Sequence, residues 1–405
     1  MTVTIEEALQ KILAHVPQTS TKILPIEEVL GMVIAEDIYA THNLPPYDNS
    51  AMDGYAVKVE DGGKCVQVAC TIFAGDNITD ELHANQAYKI MTGAKIPLGT
   101  QTVVPIEDTT ECEDGVELPK NLTLSKHIRF AGEDIKKGTL LLHKGDQLNA
   151  YHITLLASQG ISHIKVFKKP RVAVFASGNE LKMHFERVKE YQLYNTNAPM
   201  ILARVQELGC DIEFIGTAQD TLEDIHEHIT SALECDLIIT SGGVSVGDAD
   251  YTKEAFKSFG HTIVFDKVAI KPGKPTTFGT IGKTIVLNLP GNPLAAALNF
   301  EIFGRTIIAI LRGQSQKFIQ PLHATLKENI TLKGDRSSVI PGFYDGHFFT
   351  PENHFAPGMV APLARNNGFI ISLAGVTSLK KNTHVQFIST EFALFRENYH
   401  SIFSS

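Results

Sequence analysis

The sequence predicts a multidomain protein centred on a doubly wound α/β domain, with a small β-rich module ahead of it and another β region behind it. Three observations predict this. Short, nearly all-apolar runs (Arg171 to Ala176, Leu237 to Thr240, Val286 to Leu289) alternate with helical patterns, the rhythm of a mostly parallel sheet buried on both faces. Between Tyr55 and Leu142, brief β-branched runs are separated by Gly, Asp and Asn clusters, as in a compact β module. A chain of 405 residues also exceeds what one compact core accommodates.

In chain order, Thr4-Ile5-Glu6-Glu7 is a capping-box pattern. The apolar spacing of Ile5, Ala8, Leu9, Ile12, Leu13 and Val16 then predicts a helix over 5–15. A short helix is expected over Ile26 to Leu30, before the proline-rich boundary Asn43-Leu44-Pro45-Pro46-Tyr47. Strands are expected at Val66 to Ala69, Ala87 to Met91, Val103 to Ile106 and Leu122 to Ser125. Helical spacing returns over Asn149 to Gln159, expected to pack beside the N-terminal helix. From Pro170 the pattern gives a strand from Arg171, a helix near Pro199 to Leu208, a strand Ile212 to Ile215, and a helix opened by Thr221 with Asp224. Strands Leu237 to Thr240 and Val286 to Leu289 follow, the latter running into Gly291-Asn292-Pro293 and a helix to Leu311. From about Gln320 the pattern is again β with turns.

Composition narrows the function classes. With 43% hydrophobic and 20% charged residues there is ample side chain for packed cores. A net charge of −9 argues against nucleic acid or an anionic membrane as the main partner. The longest apolar stretch, Leu294 to Leu311, carries Asn299, Glu301 and Arg305, which hydrocarbon would penalise, so no membrane span is expected. The first residues hold two carboxylates and no basic run, so no secretory signal is expected and the reading is cytoplasmic. Five cysteines (Cys65, Cys70, Cys112, Cys210, Cys235) are odd in number and scattered, so reduced, mostly buried thiols are expected for all five.

An acidic protein binds an anion only where local lysines or backbone N–H groups are concentrated. In open α/β sheets that place is the carboxyl edge of the strands. The strand Leu237 to Thr240 ends in Ser241-Gly242-Gly243-Val244-Ser245-Val246-Gly247-Asp248-Ala249-Asp250, a loop whose glycines let backbone amides approach phosphate. A tight turn is the alternative for such a loop. Val286 to Leu289 feeds Pro290-Gly291-Asn292-Pro293, where Pro293 suits the first helical position, and plain helix capping competes equally. Between them Lys267 and the Lys271-Pro272-Gly273-Lys274-Pro275 stretch form a basic patch stiffened by prolines. Glu180 and Asp220 follow earlier strands, and carboxylates placed near phosphate-binding loops commonly hold Mg²⁺ through its retained waters. A helix-cap role competes for either carboxylate, most strongly for Asp220, which directly precedes Thr221. The dense row Pro45-Pro46-Tyr47-Asp48-Asn49-Ser50-Ala51-Met52-Asp53-Gly54-Tyr55-Ala56 exceeds what a hairpin demands. Met91-Thr92-Gly93-Ala94-Lys95-Ile96-Pro97 and Gly132-Glu133-Asp134-Ile135 add further polar groups flanked by glycine.

Taken in order, the Pro45 to Ala56 row, Thr92-Gly93-Ala94, Gly132-Glu133-Asp134, Ser241 to Asp250, Lys271 to Pro275 and Leu289 to Pro293 resemble the molybdopterin molybdenumtransferase family, which includes the gephyrin E domain. The resemblance runs from the N-terminus to about Arg312. It implies a helical/mixed dimerisation domain (1–44 with 143–167), a β-rich module (45–142), an α/β molybdopterin-binding domain (168–316) and a C-terminal β-barrel-like domain (317–405). It also implies a Mg²⁺-dependent homodimeric transferase that inserts molybdenum from molybdate into adenylylated molybdopterin and releases AMP. Implied protein partners are the adenylyltransferase that makes this substrate and the molybdoenzymes that receive the product.

Carried over by position, Asp53, Thr92 and Asp134 belong to the β-module side of the cleft, and Glu180, Asp220 and Asp250 to the acidic set around metal and adenylate. Ser241, Gly242, Gly243, Ser245 and Gly247 with Pro290, Gly291, Asn292 and Pro293 hold the pterin phosphate, and Lys271 and Lys274 attract molybdate. Two departures stand out. The usual Thr-Gly-Asp-Glu-Leu is Ser177-Gly178-Asn179-Glu180-Leu181 here, and a serine-rich turn is replaced by Ala356-Pro357-Gly358-Met359-Val360-Ala361-Pro362. Arg336 and Arg365 are the residues expected to compensate for that turn. The competing functions are an adenylyltransferase and a non-catalytic scaffold of the same fold.

Overall fold

A computed structural model describes residues 2–242 and 251–391. The N-terminal helix occupies Ile5–His15, and both halves of its capping box form: Glu7 N–H donates to Thr4 Oγ1 at 3.1 Å, and Thr4 N–H to Glu7 Oε2 at 2.8 Å. Its buried face (Ile5, Ala8, Ile12) packs into the core of the α/β domain and not beside the helix Ala150–Ser158. That second helix instead shares a separate core with Ile26, Val29 and Ile34. The expected pairing of the two helices therefore fails, because each stripe finds a larger apolar face elsewhere. The segment after Pro25 is a single 3₁₀ turn, Ile26–Glu28, shorter than the expected helix.

The β module is a six-stranded sheet ordered Thr102–Pro105, Gly54–Val57, Gln86–Ile90, Cys65–Ile72, Gly115–Glu117 and Thr110–Cys112. The expected strand Leu122 to Ser125 is absent: the chain turns there, with positive φ at Ser125 and His127. The expectation of five reduced thiols is corrected too. Cys65 and Cys112 form a disulfide, because the Thr110–Cys112 and Gly115–Glu117 hairpin folds against the strand that begins at Cys65. Cys70, Cys210 and Cys235 are free. Burial pushes the thiols of Cys210 and Cys235 up to about 12, so both are inert.

The α/β domain has a six-stranded sheet ordered Asp211–Ala218, Arg171–Ser177, Leu237–Ser241, Thr284–Leu289, Thr277–Ile281 and Thr262–Phe265. The first four strands are parallel, and the last two pair antiparallel at one edge. Thr221 caps the helix Leu222–Ala232 as its sequence predicts, accepting from Asp224 N–H. The helix Asn197–Glu207 starts two residues earlier than its pattern suggests. From Pro293 to Leu311 the helix runs through a π segment, Phe300–Gly304. It is long and apolar enough to cross a membrane, yet 89% of that stretch is buried in the domain. Its one acid, Glu301, is bound by Arg204 at 2.7 Å and Arg305 at 3.2 Å, which offsets the cost of burying a carboxylate.

In the C-terminal region Ser337–Tyr344, Phe348–Pro351, Leu322–Leu326, His384–Ser389 and Gly368–Ser372 pair in a ring that closes between the first and last, a five-stranded barrel. The strand Ile270–Lys271 joins this barrel, pairing in parallel with Ser337 and Ser338. The lysine stretch thus bridges the α/β sheet and the barrel.

Candidate active site

A cleft of about 850 Å³ lies at the carboxyl ends of the parallel strands. Ser177, Ser241 and Leu289 end three adjacent strands, so the loops that follow converge there. At its floor the two glycine-bearing turns touch: a Cβ on Gly291 would lie 3.5 Å from Gly242 Cα. Gly242 has φ +98°, and a Cβ there would meet Ser177 O at 2.5 Å, so only glycine fits. The buried Asn197 clamps both turns, donating from Nδ2 to Ser241 Oγ at 2.6 Å and to Gly291 O at 2.7 Å. Ser241 Oγ in turn donates to Pro290 O at 3.2 Å. Asn197 escapes sequence reasoning because Tyr194-Asn195-Thr196-Asn197 before a helix looks like an ordinary cap.

Glu180 and Asp220 line this cleft. Among the described residues neither carboxylate is in an ion pair. Asp220 is not the cap of the helix that follows it; Thr221 is. Asn179 accepts from Asp220 N–H at 3.0 Å and ties the two acidic loops together. Hard, solvent-facing oxygen donors suit Mg²⁺, which keeps several waters, so the donor chemistry fits that ion. Among the described residues no group of three or more His, Cys, Asp or Glu side chains is placed to hold a metal ion. Asp250, the third expected ligand, lies outside the described residues together with Gly243, Ser245 and Gly247.

The helix that begins at Pro293 is less open to an anion than its sequence suggests. Leu294 N–H already donates to Pro357 O at 3.0 Å, so the C-terminal turn occupies one of its first donors. That same turn supplies Gly358 and Val360 to the cleft wall. The expected substitutes for its missing serines are engaged elsewhere: Arg365 pairs with Glu352 at 3.2 Å, and Arg336 with Asp335 at 3.2 Å while donating to Ile270 O. The lysine stretch reaches the cleft through Pro275, and neither Lys271 nor Lys274 lines it.

The β-module residues form a second locus in the same chain, outside that cleft. Asp53 Oδ1 accepts from both Thr92 N–H and Thr92 Oγ1, each at 2.7 Å. The backbone bond first, and then the hydroxyl, hold its carboxyl below the usual carboxylate range. Asp134 lines a separate hollow of about 520 Å³ with Glu133, Asn49 and Arg129. Arg129 is a cation that motif reading missed. Its strand, Ile128–Arg129, pairs with Asn49–Ser50 inside the dense polar row, a pairing that two residues in isolation cannot announce.

A molybdopterin molybdenumtransferase from Haemophilus influenzae is 38% identical over 82% of this chain and 82% of its own length. The chain belongs to the molybdopterin molybdenumtransferase family. A molybdopterin molybdenumtransferase from Staphylococcus epidermidis is 33% identical, covering 98% of this chain and 97% of that one. The family model for the MoeA N-terminal region (domain I and II) matches residues 3–160, and that for a probable molybdopterin binding domain matches 173–310. A solved structure of the molybdopterin biosynthesis MoeA protein from Pyrococcus horikosii superposes with a TM-score of 0.85 at 30% identity, covering 96% of this chain and all of that one. In this family member the α/β cleft and the Asp53–Thr92 pair are the two features to be explained together.

Proposed function

We propose that this transferase inserts molybdenum from molybdate into adenylylated molybdopterin, releasing AMP and molybdenum cofactor. The observation that carries this is the α/β cleft, where two glycine-bearing turns clamped by Asn197 face two unpaired carboxylates, Glu180 and Asp220. Backbone amides after Ser241 and around Gly291 hold the pterin phosphate, since turns of this kind present N–H groups without a side chain in the way. Glu180 and Asp220, with Asp250, hold Mg²⁺, which when bound neutralises the pyrophosphate. Lys271 and Lys274 attract molybdate. Water forms a new P–O bond at the pyrophosphate as the bridging P–O bond breaks, AMP leaves and the pterin keeps its phosphate; the two dithiolene thiols bind molybdenum as their protons depart with one molybdate oxygen as water. The chain's own contribution is positioning and charge neutralisation.

The family plan supports a homodimer, with Asp53, Thr92 and Asp134 of one subunit facing the α/β cleft of the other. It also supports the four-part division (1–44 with 143–167, 45–142, 168–316, 317–405), a cytoplasmic setting, and contacts with the adenylyltransferase and with recipient molybdoenzymes. The test is restoration of molybdoenzyme activity in a strain lacking molybdenum insertion, together with molybdate-dependent AMP release by the purified protein. Wild-type protein should restore activity and Glu180→Ala should not. ATP consumption with unmodified molybdopterin would instead make the protein an adenylyltransferase and overturn the proposal.

A further inference from the structure

The helix that starts at the Pro290–Pro293 turn carries a second polar feature in its interior. Asn299, six residues into the helix, is fully buried, as is Thr276 in the loop it faces. Asn299 Nδ2 donates to Ala295 O at 2.7 Å and to Pro272 O at 3.3 Å, and its Oδ1 lies 3.0 Å from the Thr276 hydroxyl. That hydroxyl is also 2.8 Å from Gly273 O. Gly273 has φ +104°, and a Cβ there would fall 1.8 Å from Asn299 Nδ2, so the loop crown rests directly on the amide.

The two carbonyls held in this way, Pro272 O and Gly273 O, belong to the residues between Lys271 and Lys274. Outside the crown the loop is tied at both lysines, Lys271 by strand pairing with Ser338 and Lys274 by its carbonyl accepting from Val268 N–H at 2.9 Å. Fixing residues 272 and 273 from inside therefore fixes the directions in which the two lysine side chains leave the backbone. A buried amide costs more than an apolar residue of like size unless its bonds are made, and here both N–H groups donate while the single Thr276 proton is shared between the amide carbonyl and Gly273 O.

We propose that Asn299, with Thr276, is a positioning residue for the lysine loop, so that one helix sets both the Pro290–Pro293 turn at its start and the cationic arm at its interior. The inference rests on the reading that Lys271 and Lys274 attract molybdate. Steady-state kinetics with molybdate varied and adenylylated molybdopterin saturating test it, using Asn299→Leu, Thr276→Val and Lys274→Ala. Thr276→Val preserves shape and keeps the test open if Asn299→Leu fails to fold. KM for molybdate should rise roughly three- to tenfold in both packing variants, with kcat within about twofold of wild type, the signature of lost ground-state positioning. A raised KM in Lys274→Ala with unchanged KM in Thr276→Val and in folded Asn299→Leu overturns this inference and leaves the lysine reading standing. An unchanged KM in Lys274→Ala overturns the lysine reading, and the inference with it.

Discussion

Asn179 shows how one side chain changes what a site can do without leaving its place. Its Oδ1 accepts from Asp220 N–H at 3.0 Å, a bond that an aspartate oxygen would make equally well. The asparagine therefore preserves the link between the loops while removing one negative charge beside Glu180 and Asp220. Restoring that charge by Asn179→Asp should lower the Mg²⁺ concentration for half-maximal activity about three- to tenfold, since an added carboxylate near a divalent ion is worth on the order of 1 kcal/mol in a solvent-facing site. Unchanged Mg²⁺ dependence would mean that Asn179 is remote from the metal. Asp53 is set by the same kind of local bonding: two donors from Thr92 favour its ionised form, so it remains a carboxylate at pH values where an ordinary aspartate begins to take up a proton.

At the scale of elements, the site depends on how closely two turns approach. Gly242 accepts the close approach of Ser177 O only because it lacks a Cβ, and Gly291 packs against its Cα. Gly242→Ala places a methyl group 2.5 Å from a backbone oxygen at φ +98°, so the turn must move. The expected cost is about 1–3 kcal/mol of stability, seen as a lower Tm, with an activity loss of roughly 100-fold from displaced phosphate-binding amides. A variant with wild-type Tm and kcat would show that the turn is not under this constraint. The barrel acts at the same scale. By giving Pro357 O to Leu294 N–H it takes a donor from the helix start, and by offering Gly358 to the cleft wall it makes the C-terminal region part of the site.

At the scale of the whole molecule, the Asp53–Thr92 pair and the α/β cleft are separate loci in one chain. The dimer proposed above joins them across subunits, and mixing tests it. Asp53→Asn and Glu180→Gln homodimers should each be inactive. After dissociation and random reassociation, half the dimers are mixed and each carries one intact composite site, so activity should recover to about a quarter of wild type. Verified mixed dimers with no activity would exclude a shared site.

Much was legible in the sequence because local physics writes it there. The Thr4–Glu7 capping box, the Thr221 cap, the apolar parallel strands and the Gly242 and Gly291 turns follow from short-range hydrogen bonding, periodicity and backbone sterics, and the structure keeps each of them. The ordered motifs from Pro45 to Pro293 likewise carry the family. Tertiary structure alone decided which partner each group would find. It joined Cys65 to Cys112, sent the N-terminal helix to the α/β core, turned Asn197 into a clamp, and spent Arg336 and Arg365 on Asp335 and Glu352. Those outcomes depend on groups far apart in the chain competing for the same buried bonds and apolar surface, and such competition is settled only when the whole molecule packs.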